Sequence, residues 1–121
     1  NPMNVSELIN YTSQLDDDPL LEPCYIWDYN NSGTRTYGEH PICGIVVLPD
    51  RVELHYAEPG VEDTITLQQL HDELAPVKDR PVVVVDYYLD ILPNVEGISP
   101  FDESEPLGPE NHISISVDDE V

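Results

Sequence analysis

The chain has 121 residues, one domain's worth, and its hydrophobic (40%) and charged (24%) fractions are near the globular norm. The sign of the charge is not: 25 acids face four bases, Arg35, Arg51, Lys78 and Arg80, for a net charge of −21. That charge argues against DNA and anionic membranes as partners, and the runs "YIWDY", "CGIVVL" and "VVVVDYYL" argue against a disordered chain.

Near the start, Asn4 and Glu7 have the spacing of a capping box. Val5, Leu8, Ile9 and Thr12 then recur at helical spacing, which predicts a helix running to about Leu15. "DDDP" stops it, because Pro19 disfavours helical geometry in the residue before it. In "CYIWDY", Tyr25, Trp27 and Tyr29 alternate with Cys24, Ile26 and Asp28, a strand pattern. "CGIVVLPDRVELHY" reads as two strands about a turn at Pro49 and Asp50. Val52, Leu54 and Tyr56 face inward there, and Arg51, Glu53 and His55 outward. A second helix fits "TLQQLHDEL": Thr66 and Gln69 form another capping box, Leu67, Leu70 and Leu74 share a face, and Pro76 closes it. "PVVVVDYYLDIL" reads as one strand, wholly apolar at first and alternating later. Residues 93–110 are rich in Pro, Gly, Ser and acid and predict an irregular surface loop. "HISISV" is a last strand, with Ile113, Ile115 and Val117 on one side. Residues 1–121 thus predict a single α+β domain, with a mostly antiparallel sheet of about five strands and two short helices.

Catalytic signatures are missing. There is no Walker loop, no G-x-G-x-x-G, no G-x-S-x-G and no H-E-x-x-H, so no catalytic residue and no cofactor is assigned and a non-enzymatic role is expected. Asp16, Asp17 and Asp18 are consecutive rather than alternating, and the glycine an EF-hand loop requires does not follow. His40, His55, His71 and His112 show no zinc spacing to Cys24 or Cys43, so no metal site is expected. The two cysteines read as reduced, strand-buried thiols. No apolar run approaches the ~18 residues of a membrane-spanning helix. "NPMNVSELI" lacks the basic segment and apolar core of a signal peptide, so a cytoplasmic protein without membrane association is expected.

The acids themselves remain. "FDESEPLGPENH" holds Asp102, Glu103, Glu105 and Glu110, and from Pro81 to Val121 there is no Lys or Arg to answer them. Same-face residues two apart in an extended chain are about 6.6 Å apart. Duplex DNA presents one phosphate per ~3.4 Å of axis on each strand, with the strands interleaved, so such a row is of the same order as a phosphate track. Glu103 and Glu105 have this spacing, and Asp86 and Asp90 share a face whether "DYYLD" is strand or helix. Asp16, Asp17, Asp18, Glu22, Asp28, Asp86, Asp90, Glu96, Asp102, Glu103 and Glu105 are the candidate partner-binding residues, as parts of one anionic surface.

In size, extreme acidity, aromatic-rich strands and lack of catalytic motifs, the whole chain resembles the DNA-mimic proteins of bacteria and phages. That class shares charge and size rather than a sequence motif, so no residue role is carried over from it. The resemblance implies a basic DNA-binding protein as partner, such as a histone-like nucleoid protein or a restriction or CRISPR nuclease, bound in competition with DNA. An immunity protein or antitoxin against a basic toxin, such as a nuclease, is the nearest alternative. It would use a few central hot spots with an aromatic anchor, Trp27, Tyr87 or Tyr88, instead of a broad charge track. A halophile's solvation-adapted domain and a small hydrolase are further alternatives.

Overall fold

The computed structural model describes residues 3–15, 20–28, 38–56, 64–85, 91–92, 94–101 and 112–118. In chain order the elements are α1 (Val5–Ser13), β1 (Cys24–Asp28), β2 (Gly38–Val47), β3 (Val52–Tyr56), α2 (Leu67–Leu74), β4 (Val82–Val85), β5 (Ile91–Leu92), β6 (Asn94–Phe101) and β7 (His112–Asp118). The strands form one sheet in the order β5-β4-β3-β2-β1-β7-β6. Two pairings, β1–β7 and β3–β4, are parallel and the other four antiparallel, so the α+β class, the two helices and the mostly antiparallel sheet hold.

The ten-residue β2 is the spine. Its first half pairs with β1, from Asp28↔Gly38 to Tyr25↔Pro41, and its second half with β3, from Ile42↔Tyr56 to Val47↔Val52. The register shifts between Ile42 and Gly44, a bulge that bends the strand where it changes partners. The expected hairpin is present, closed by the Leu48 N–H donating to the Arg51 carbonyl at 2.8 Å.

β5 and β6 stand at opposite ends of the strand order, yet a single residue separates them in sequence. Leu92 and Asn94 are therefore no more than about 7 Å apart, and the sheet must curl until its two edges meet. β6 accordingly lies near β4 and α1 as well as beside β7.

One core joins the sheet to both helices. α1 contributes Val5 and Leu8, α2 contributes Leu67, Leu70 and Leu74, and the strands contribute Ile26, Ile42, Leu54, Val84, Ile113 and Ile115 among others. Burying each such side chain is worth roughly 1.5–3 kcal/mol. All four valines of β4 are buried, as expected of a strand covered on both faces. In β7 the serine side of the alternation is covered too: Ser114 and His112 are buried with the isoleucines, and the Tyr25 ring meets His112 edge-on at 5.0 Å.

Each helix start is tied to a distant segment. In α2 the Leu67 N–H donates to the Glu22 carbonyl (3.0 Å), the Gln68 N–H to the Leu20 carbonyl (2.8 Å) and the Gln69 N–H to Thr66 Oγ1 (3.1 Å). The Thr66 N–H returns a bond to Gln69 Oε1 at 2.8 Å, completing the expected box. In α1 the Asn4 N–H donates to Glu7 Oε1 (3.3 Å), and the Ser6 N–H and Oγ donate to the two oxygens of Asp79 (3.1 and 3.0 Å). Asp79 thus places a carboxylate where a helix N-terminus favours negative charge. The helices also meet through Thr12 and His71, whose Oγ1 and Nε2 are 2.5 Å apart. Thr12 Oγ1 also lies within hydrogen-bond distance of the Leu8 carbonyl (2.9 Å) and the Ile9 carbonyl (3.1 Å) of its own helix.

Four expectations need correction. α1 ends at Ser13, two residues short of Leu15. Residues 82–92 are not one strand: β4 stops at Val85, and Ile91–Leu92 lie antiparallel to it, with Val85↔Ile91 and Val84↔Leu92. The stretch 94–101, expected as loop, is strand β6, paired along β7 from Asn94↔Asp118 to Phe101↔His112. Its Pro100 lacks an N–H but sits on a strand with only one ladder partner, where that loss is tolerated. Both cysteines are free and Cys24 is buried, but Cys43 is exposed, because the bulge makes it the extra residue between Ile42 and Gly44.

Leu70, fully buried, and Leu21, 84% exposed, provide a matched pair. Leu70→Ala is expected to cost about 2–5 kcal/mol and Leu21→Ala under about 0.5 kcal/mol, both read from the urea midpoint. Equal losses would mean that α2 does not anchor the core.

Candidate functional site

Of the candidate partner-binding residues, Asp16, Asp17, Asp18, Asp86, Asp90, Asp102, Glu103 and Glu105 lie outside the described residues, as do Tyr87 and Tyr88. Glu22 is half-buried just before β1, where its carbonyl holds the start of α2 and its charge acts on Cys24. Burial first, and the Glu22 carboxylate second, push the Cys24 thiol up to about 12, so it stays protonated and inert.

Asp28 and Glu96 are brought to one place by pairing that the sequence does not reveal. Asp28 ends β1 and is in register with Val117 of β7. On the other side of β7, Val95 is in register with the same Val117, and Glu96 falls at a register shift between Val95 and Gly97. Asp118 is the next residue of β7, opposite Asn94. Adjacent strands are about 4.8 Å apart, so backbone positions 28, 96 and 118 span three neighbouring strands within roughly 10 Å. Asp118 was not among the expected residues. Its signal was the acid run "DDE" following an alternating strand, but its neighbours are set by the parallel β1–β7 pairing, which no local pattern announces.

The described bases gather elsewhere. Arg51 sits at the β2–β3 turn, Arg80 donates through Nη1 to the Leu48 carbonyl of that turn, and the exposed Lys78 precedes Arg80 by two residues. Asp28 pairs with Gly38, at the other end of β2. Ten extended residues span roughly 30 Å, so the described bases, with Asp50, Glu53 and Asp79 beside them, lie at the far end of β2 from Asp28.

Even there two of the three described cations, Arg51 and Arg80, are engaged. Arg51 donates through Nε to Glu53 Oε2 at 2.9 Å, holds the same oxygen through Nη2 at 2.9 Å, and reaches Asp50 through Nη1 at 3.3 Å. The other Glu53 oxygen, Oε1, is 3.0 Å from His55 Nε2. Arg51, Glu53 and His55 alternate along β3 on the face opposite the core, as expected, but they clamp one another instead of standing free in solvent. The Glu53 side chain is 12% exposed. Burial opposes its ionisation, but the hydrogen bonds from His55 and Arg51, with the charge of both, outweigh burial and hold its carboxyl below the usual 4.5. Glu53 is thereby a poor proton acceptor. Cys43 bonds the His55 carbonyl (Sγ to O 3.4 Å) and not its ring, so the pair is not arranged as nucleophile and base. Burial foremost, partly opposed by Asp72, lowers the affinity of His71 for a proton and favours the neutral ring.

Among the described residues no group of three His, Cys, Asp or Glu side chains is placed to hold a metal ion, and no helix is long and apolar enough to cross a membrane. Trp27 is half-buried and has interactions of its own. No protein-family model, no curated protein and no solved structure matches the chain.

Two outcomes check this geometry. The folded-state pKa of Glu53 is lowered, so its stabilisation is complete above the usual 4.5 and disappears as pH falls through the lowered value. Glu53→Gln is expected to unfold at a lower urea midpoint than wild type at pH 7, with the gap closing on acidification; a gap independent of pH would contradict the clamp. In the native protein an alkylating reagent should modify Cys43 alone, with Cys24 reacting only after denaturation. Equal native reactivity of both thiols would contradict the burial of β1.

Proposed function

We propose that the chain is a DNA mimic that binds a basic DNA-binding protein, a histone-like nucleoid protein or a defence nuclease, and competes with DNA for it. The observation that carries this reading is the gathering of acidic positions at one end of the sheet, away from every described base. Backbone positions 28, 96 and 118 fall together on adjacent strands, while the described cations lie about the far turn, two of them engaged within the chain. Net charge −21 far exceeds what a domain of this size needs for solubility.

Mimicry asks more than charge. A flexible acidic tail attracts any basic surface, whereas carboxylates on paired strands keep fixed intervals, near 4.8 Å between strands and 6.6 Å along one. A protein built to grip phosphates at comparable intervals meets them with the same Lys and Arg side chains. Asp86, Asp90, Asp102, Glu103 and Glu105, with Asp16, Asp17, Asp18 and Glu22, are the further carboxylates that this reading assigns to the partner. The mechanism is competitive: each carboxylate takes a cation that would otherwise hold a phosphate, and DNA is released. A cytoplasmic location follows, since the partner works there.

The test is capture from a bacterial lysate on immobilised protein, washed at moderate salt, with and without duplex DNA. A captured DNA-binding protein that excess DNA displaces is the expected result, with binding that weakens in salt less steeply than DNA binding, since DNA also gains from counterion release. A captured protein that DNA cannot displace would replace this reading with an immunity-type inhibitor. Capture of nothing would sink both.

A further inference from the structure

A groove of about 370 Å³ lies between α2 and the bulge of β2. Gly44, Ile45 and Ile65 form its apolar part, and Gln69, Asp72 and Glu73 its polar part. The Ile65 N–H donates to the Ile42 carbonyl at 3.1 Å, fixing the strap before α2 against β2 and setting the width of the groove.

Nothing in the fold calls for glycine at position 44. A Cβ there would meet no atom within 4 Å, and the backbone is not in the left-handed region. A glycine inside a strand weakens it and commonly marks close approach by a ligand or another chain. Here the bare backbone borders open space on the groove wall. Among the described residues neither carboxylate is paired with a cation. Asp72 accepts one bond from Gln68 Nε2 (3.2 Å), and Glu73 makes no hydrogen bond or ion pair among the described residues.

We propose that this groove seats one lysine or arginine side chain of the basic partner, the aliphatic stem lying over Gly44, Ile45 and Ile65 and the cationic head meeting Asp72 and Glu73. The chemistry of the two parts selects that occupant. A wholly apolar side chain would strand the carboxylates, and a small cation would leave the isoleucines wet, whereas a long basic side chain satisfies both. The proposal rests on the reading of the chain as a binder of a basic protein. It adds a shaped pocket, and so specificity, to a surface that would otherwise recognise charge alone.

The test uses N-acetyl-arginine methylamide as probe, titrated into the whole ¹⁵N-labelled protein and followed by ¹H–¹⁵N NMR, with N-acetyl-norleucine methylamide as the uncharged control. Saturable shifts centred on the amides of Gly44, Ile45, Ile65, Gln69 and Glu73 are expected with the arginine probe only. Glu73→Gln and Gly44→Leu should each weaken them at least five-fold, the first by removing charge and the second by filling the groove. A Cβ at position 44 meets no atom within 4 Å, and an unchanged spectrum away from the groove would show that Gly44→Leu folds. Shifts that spread over the acidic residues without saturating, or that survive both variants, would overturn the proposal. The two readings fail separately. Capture of a DNA-displaceable protein equally by wild type and Gly44→Leu would leave mimicry standing and remove the groove. Saturable probe binding without such capture would keep the groove and remove mimicry.

Discussion

Leu92 and Asn94 belong to opposite edges of a seven-stranded sheet and are two residues apart, and this one short link constrains everything around it. It forces the sheet to curl until β5 and β6 meet, which brings β6 near β4 and α1 as well as beside β7. The curl leaves one core, shared by inner-face side chains of the strands and the apolar stripes of both helices. β4, which carries no charge, is buried along its whole length.

Such a frame matters because the charge works against it. A net charge of −21 repels itself in the compact state, and that repulsion must be offset by burial. Part of the acid is put to structural use. Asp79 accepts three hydrogen bonds at the start of α1, from Asn4 Nδ2 and from the N–H and Oγ of Ser6, and Glu53 is held between Arg51 and His55. These local devices occupy only a few carboxylates. More than half of the acids lie outside the described residues, and of those in strands, Asp28, Glu96 and Asp118 come together across β1, β6 and β7. The apolar frame holds the fold, and in the proposed reading the remaining acids meet the partner.

What was legible in the sequence was local. Both capping boxes, the turn at Pro49 and Asp50, and the inward set Val52, Leu54 and Tyr56 rest on spacings of a few residues, and all are present. What was illegible was set by distant pairing or by a shift of one residue. Gly97 and Pro100 read as loop, but pairing along β7 holds them in β6, an override of local preference by tertiary contact. Nothing in "DYYLD" marks a break, since it contains neither Gly nor Pro, and yet β4 ends at Val85. The exposure of Cys43 follows from a bulge that moves the alternation by one position. For the acidic site the residue types were visible and their neighbours were not, because the parallel β1–β7 pairing joins segments far apart in the chain.

The central claim is that this fold stands without help from salt, so that its acids are free for a partner and not required for solvation. Urea unfolding followed by near-UV circular dichroism in dilute buffer tests it most directly. A single cooperative transition is predicted there, with a midpoint that molar KCl raises only modestly. A chain that shows no cooperative transition until molar salt is added would contradict the account and assign the acidity to a saline environment.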